Sequence, residues 1–370
     1  MSVTARPLDL SRLVESTRAR GTCENVPLMK TSVTPIFSHN PNPRLSSTDA
    51  EAVVKRHFGL DAEASALPSE RDQNFRVVTD SGENFVLKIS NSDEQRAVLE
   101  LQNAVFEHLA RVTSELAVPR VVKSVSAESI VTVGGKQGLT HMARLVSWLD
   151  GTLFVNARPH DARLLASLGT SLALLDRALQ GFVHPAMFRK LHWDLRHAAE
   201  AFEHRKLMTE REQALLHDFA QSWQNISWQQ LRHGVIHGDA NNYNVLVRDG
   251  RVVGFLDFGD MVHSAVVGDL AIAAAYAMLD KPDPIGAAVA IVRAYHAGFP
   301  LTVAEARALY PLITARLCMS VCYAALNARA KSEDSYQQVT AAPAWALLER
   351  LAALPSAVVT DTFQQACSDS

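Results

Sequence analysis

Apolar positions along the chain change their period, and the change divides it. Between residues 75 and 148 they fall in short runs: Phe75 to Thr79, Asn84 to Ile89, Val118 to Val133 and Leu139 to Trp148. Asp80-Ser81-Gly82 and Gly134-Gly135 punctuate them, which predicts strands joined by turns. Two helices flank the first pair. One runs through Ala50 to His57, capped by Ser46 or Ser47 and stopped at Gly59; the other spans Ser92 to Ala110, capped by Asn91 or Ser92, with Leu99, Val105, Phe106 and Leu109 inward. From Asp161 the period becomes helical: Leu164, Leu165, Leu168, Leu172 and Leu175 share a face. Trp193, Phe202 and Leu207 fall on further helices, before one from Leu215 to Trp228. Val267 opens a long helix with Asp269 near its free N–H groups, and helices continue from Pro284, with Thr302 as a cap. The expected class is α+β, a small β-rich unit ahead of a larger helical one.

One stretch interrupts the helical half. Val235 to Asp260 reads VIHGDANNYNVLVRDGRVVGFLDFGD. Val245-Leu246-Val247 and Val252 to Leu256 flank Arg248-Asp249-Gly250-Arg251, a hairpin with Asp-Gly at its turn. Asp239 and Asn244 precede the first strand and Asp257 follows the second, so the hairpin brings all three to one end. Two carboxylates and an amide oxygen suit phosphoryl transfer from a nucleotide bound with Mg²⁺. The cation takes one or two carboxylates plus phosphate oxygens, and the other carboxylate accepts the proton of an attacking hydroxyl. Protein kinases space a catalytic Asp, an Asn five residues on, and Asp-Phe-Gly in this order. Here they are Asp239, Asn244 and Asp257-Phe258-Gly259, with His237-Gly238-Asp239 in place of His-Arg-Asp.

HGDANNYN followed by DFGD resembles the aminoglycoside phosphotransferase and choline kinase-like family. The longer string through GDLAIAAAYAML is most similar to its hydroxylysine kinase branch. The resemblance implies a protein-kinase-like, two-lobed fold: an extension over residues 1–45, a nucleotide-covering lobe over 46–147, and a lobe over 148–370 with the hairpin and acceptor pocket. It implies ATP or GTP as donor, Asp239 as base, Asn244 and Asp257 on Mg²⁺, and Lys88 on the phosphates. Glu100 is the expected partner of Lys88, with Gln102 the alternative. The Gly-x-Gly-x-x-Gly loop of protein kinases is missing, and SERDQNF stands there instead, so Asp72, Gln73 and Asn74 either cover the phosphates without glycines, as in similar family members, or form an ordinary turn. By order Leu145-Val146-Ser147 is the hinge at the adenine edge. Asp260 edges the acceptor pocket, where it meets a substrate amine or serves as a cap, and Arg316 is the candidate for a substrate carboxylate.

Composition narrows the class. Hydrophobic residues at 48 % and charged ones at 20 % fit an ordinary globular core. A net charge of −3 offers no basic field for nucleic acid. Cys23, Cys318, Cys322 and Cys367 form neither a disulfide framework nor a zinc pattern, and free thiols fit a reducing cytoplasm. Residues 1–30 lack the apolar core of a signal peptide. Charges interrupt every later apolar segment before the roughly 18 residues of a membrane span. The expected activity is phosphorylation of a small amino alcohol, 5-hydroxylysine first, then ethanolamine-like compounds, homoserine or an aminoglycoside. The rival of another class is a catalytically weak regulatory or binding module serving an aminotransferase-type partner.

Overall fold

The computed structural model describes residues 43–69, 72–135, 138–330 and 335–368. The expected extension therefore lies outside the described residues through position 42, as do Cys23, Glu70 and Arg71. Helix α1 (Ser47–Phe58) starts on a capping box between Ser46 and Asp49 and ends at Gly59, whose φ of +70° is left-handed. Strands β1 (Ala62–Leu67), β2 (Gln73–Thr79) and β3 (Asn84–Ile89) form an antiparallel meander. β1 was not expected. Ala62 to Leu67 contains no β-branched or aromatic residue, and its pairing with β2 overrides weak propensity.

Helix α2 (Arg96–Val112) begins later than the apolar pattern predicts. Asn91 does not cap it. Its side chain accepts the Asp93 N–H at 2.9 Å, and its own N–H donates to Asp72, which makes a turn before the helix. Strands β4 (Val121–Val122), β5 (Val131–Gly134) and β6 (Thr140–Ser147) complete an antiparallel sheet ordered β1-β2-β3-β6-β4, with β5 also on β6. Phe75, Val77, Leu87, Ile89 and Leu145 are buried with Val54 and Phe58 of α1 on one face.

After β7 (Thr152–Leu153), helix α3 (Ala162–Ala178) is capped by Asp161, and the predicted leucine face is buried. At ~1.5–3 kcal/mol for each buried leucine, this face is a main anchor of the lobe. Helices α4 (Ala198–Phe202) and α5 (Glu210–Gln224) follow. The capping box of Thr209 and Glu212 starts α5 ahead of the predicted Leu215. Strands β8 (His233–Ile236), β9 (Val245–Arg248), β10 (Arg251–Phe255) and β11 (Val262–Ala265) build two small sheets, β10-β9-β7 and β11-β8. Helices α6 (Val267–Ala277), α7 (Pro284–Gly298), α8 (Val303–Ala330), α9 (Ser335–Ala352) and α10 (Ser356–Ser368) fill the rest. Thr302 caps α8 as predicted, exchanging bonds with Glu305. Val303–Arg329 has the length and hydropathy of a membrane span, yet 83 % of its most apolar stretch is buried inside the molecule, as in a core helix. Cys318 and Cys322 on it are free and buried, and Cys367 is free.

Candidate active site

The predicted hairpin forms with a two-residue turn. Arg248 pairs with Arg251, and Asp249 and Gly250 take φ of +53° and +70°. The register shifts between Val252 and Gly254, where Val253 accepts the Ala117 N–H at 2.7 Å. At the open end Leu256 donates its N–H to the Asn244 carbonyl at 2.7 Å, which locks the two outer ends together. β8 and β11 lie beside this end and were not expected as a pair.

The turn after β8 is shaped by backbone contacts. Gly238 has φ +79°, and a Cβ there would lie 2.4 Å from the Asp260 carbonyl oxygen, so only glycine fits. The buried carboxylate of Asp269 accepts the N–H groups of His237 at 2.7 Å and Gly238 at 2.8 Å. Asp269 thus holds this turn rather than the start of its own helix. His237 Nδ1 accepts the Asp239 N–H at 3.2 Å, so its proton lies on Nε2, which donates to the Leu256 carbonyl at 2.9 Å. These bonds aim Asp239.

Asp239 is the most contested carboxylate in the site. Its Oδ2 accepts from Asn241 Nδ2 and from Asn244 Nδ2, both at 2.8 Å. Its Oδ1 accepts from Arg316 Nη2 at 2.6 Å. Burial pushes its pKa up to about 7; Arg316 and Asn241 pull it down, while Asp260 and Asp257 raise it. Arg316 is itself 3 % exposed, donates to the Tyr276 hydroxyl and lies 4.5 Å from the Trp193 ring. The expected partner of a substrate carboxylate is instead paired with Asp239. Asn241 and this role of Arg316 were not foreseen. Asn241 sits two residues from Asp239 and was open to a local reading; Arg316 comes from a distant helix.

Asp257 adopts φ +54° at the end of β10, and its Oδ1 accepts the Gly259 N–H at 3.3 Å. Lys88 Nζ reaches the same oxygen at 3.6 Å. This ion pair joins the sheet to the hairpin, and Asp257 also acts electrostatically on Asp239. Arg189 fastens the following turn through the carbonyls of Gly259 and Met261. Phe258 stacks edge-on with His237 (4.6 Å) and with Phe106 of α2 (5.2 Å), an aromatic column under the site. Asp260 is 8 % exposed and abuts Gly238.

Other expected contacts fall differently. Glu100 is half exposed and pairs with Arg96 on its own helix at 3.7 Å, away from Lys88. Gln102 does not replace it; Arg144, paired beside Lys88 in the sheet, donates to Gln102 at 2.6 Å and Asn103 at 2.8 Å. Burial lowers the Arg144 pKa to about 10. A buried guanidinium between β6 and α2 thus takes the place of the expected lysine–glutamate pair, a substitution no local pattern announces. Asn74 lies opposite Lys88 in the ladder and donates to Ser69 at 3.3 Å. Gln73 grips the Leu45 backbone and Asp72 holds Asn91, so both have structural duties. Leu145 is fully buried, and Ser147 bonds to Arg120 through its N–H and hydroxyl.

The donor set fits a hard divalent cation. Asn244 spends its amide hydrogens on Asp239, at the backbone oxygen (3.0 Å) and Oδ2, which turns its Oδ1 outward. That oxygen and the Asp257 carboxylate are the few protein ligands such an ion takes beside phosphates. Among the described residues no three His, Cys, Asp or Glu side chains gather into an all-protein cage.

The family model for the phosphotransferase enzyme family (APH) matches residues 63–310. A hydroxylysine kinase from Danio rerio is 30 % identical over 331 residues, covering 84 % of this chain and 92 % of the relative. Among solved structures, a microcompartment-associated aminopropanol kinase aligns with TM-score 0.66 at 21 % identity, over 82 % of this chain and 97 % of that one. An amicoumacin kinase in complex with AMP-PNP, Ca²⁺ and amicoumacin aligns with TM-score 0.61 at 14 % identity, over 78 % and 88 %. The structural likenesses show a kinase-like fold.

Proposed function

Because the chain belongs to the phosphotransferase enzyme family, as a small-molecule kinase acting on an alcohol acceptor, we propose that it phosphorylates the hydroxyl of an amino alcohol, 5-hydroxylysine foremost, with ATP as donor. The observation that carries the mechanism is the placement of Asp239. Its Oδ2 accepts two hydrogen bonds and its Oδ1 one, so the acceptor position left for a substrate hydroxyl is on Oδ1. With its pKa raised to about 7, the carboxylate is a base near neutrality rather than a spectator. The hydroxyl oxygen attacks the γ-phosphorus, the bond to the β,γ-bridging oxygen breaks, and ADP leaves with that electron pair. The hydroxyl proton passes to Asp239. Lys88 steadies the phosphates from the sheet. Asn244 and Asp257 would hold the Mg²⁺, which neutralises charge on the transferring group. Most of the acceleration comes from alignment and electrostatics.

An ammonium on the acceptor suits this site. Asp260 and Asp257 both raise the Asp239 pKa against the pull of Arg316. A substrate cation beside Asp260 relieves that repulsion and favours the ionised base. Homoserine shares the ammonium, carboxylate and hydroxyl and is the second acceptor. The test is ATP turnover against 5-hydroxylysine, homoserine, ethanolamine, an aminoglycoside and an amine-free diol. Preference for 5-hydroxylysine supports the reading. Equal rates with the diol would remove the amine from recognition, and no turnover with any alcohol would favour the regulatory module.

A further inference from the structure

One buried carboxyl outside the substrate-facing residues has no role in this mechanism. Asp176, near the end of α3, is 1 % exposed. Its Oδ2 accepts the Tyr295 hydroxyl at 2.6 Å. Its Oδ1 is buried and meets no N–H or O–H donor among the described residues. What lies within hydrogen-bonding reach is a second carboxyl, that of Asp269. Two ionised carboxylates side by side in a dry interior repel strongly, and one retains a proton. The surroundings decide which. Burial raises the Asp269 pKa too, but its carboxylate accepts two backbone N–H groups, which favour its anion. Asp176 has a single hydroxyl donor, and burial together with Asp269 holds its carboxyl well above the usual range. The groups around it are Asp269 on α6, Tyr295 on α7 and Arg232 ahead of β8; Arg232 is already paired with Glu305 at 2.6 Å. His237 meets Asp269 through its backbone N–H.

We propose that Asp176 is a carboxylic acid at neutral pH whose Oδ1–H donates to Asp269, fixing the carboxylate that suspends the His237–Gly238 backbone ahead of Asp239. Asp176 is a positioning residue: it touches no substrate and acts through Asp269. The acid–carboxylate bond ties three helices, α3, α6 and α7, to the turn that aims the base. The kinetic consequence rests on the role given to Asp239, but the protonation state does not.

The test pairs infrared spectroscopy with kinetics on the full chain. At about pH 8, above the value near 7 of Asp239, wild type should show the carbonyl band of a protonated carboxylic acid that D176N lacks. The amide introduced by D176N supplies an N–H to Asp269 and an oxygen to Tyr295, so this variant should fold and keep kcat within about threefold. D176L removes the donor and should lower kcat about tenfold or more, with the nucleotide KM changed less than about twofold. No band difference between wild type and D176N would overturn the protonation, whatever the enzyme turns over. D176N failing to fold or losing kcat as D176L does, or D176L retaining full kcat, would overturn the positioning role. If D176L does not fold, the infrared pair and D176N decide.

Discussion

Asp239 is held between charges of both signs, and its pH response follows from that balance. Burial and the neighbouring Asp260 and Asp257 favour the neutral acid, while Arg316 and Asn241 favour the anion. In the proposed role Asp239 works only ionised, so kcat/KM for the acceptor should fall about tenfold for each pH unit below about 7. R316Q deletes the main charge that lowers the Asp239 pKa. The acid limb of the profile should then move to higher pH, by about one to three pH units; an unmoved limb would show that Arg316 does not govern the base. At this scale legibility depended on separation along the chain. Asp239, Asn244 and Asp257 were readable because one hairpin carries all three and its turn chemistry sets their meeting point. Arg316 is distant from Asp239, and nothing local marks it as the partner of an aspartate. Glu100 misled for the converse reason. A helix acid near the expected position is easily named, but Arg144 had already filled the space with Gln102 and Asn103.

Among the elements, α3 and α7 depend on one close approach. A Cβ at Gly169 would lie 2.1 Å from the Ile291 carbonyl oxygen, so the helices meet only because that residue is glycine. The same interface brings Tyr295 to Asp176. G169A should therefore destabilise the protein by about 1–3 kcal/mol through forced separation of the helices. Urea unfolding measures it, and unchanged stability would mean that the pair can shift apart freely. The leucine face of α3, the capping of α8 by Thr302 and the hairpin around Asp249-Gly250 were all readable from periodicity and turn residues. β1 was not, because alanine-rich sequence becomes a strand only through its partner. The β8–β11 pair was hidden as well: its strands bracket the hairpin, and a pairing across so long an insertion leaves no local pattern. α5 starts ahead of its apolar run through the Thr209–Glu212 capping box, a local signal that the hydrophobic period alone does not carry.

Across the whole molecule, the sheet and the helical lobe meet at Lys88 and Asp257, with Phe106, Phe258 and His237 stacked beneath. The kinase-like fold was legible because the order of strands, helices and hairpin is itself a pattern. Asp257 serves the nucleotide side of this junction in the proposed mechanism. D257A should abolish the Mg-ATP-dependent rise in melting temperature, a stabilisation of ~2.7 kcal/mol at a hundredfold excess over Kd for an intact site. A rise equal to that of wild type would take the cation away from Asp257. In the same mechanism Asp239 serves the acceptor, so its chemistry and nucleotide binding should be separable. The most direct measurement is therefore D239N, with turnover of 5-hydroxylysine and ATP affinity determined on the same protein. Asparagine keeps the shape and removes the anion, and kcat should fall by roughly 10² or more while ATP affinity stays the same. Turnover close to wild type at unchanged ATP affinity would contradict Asp239 as the base.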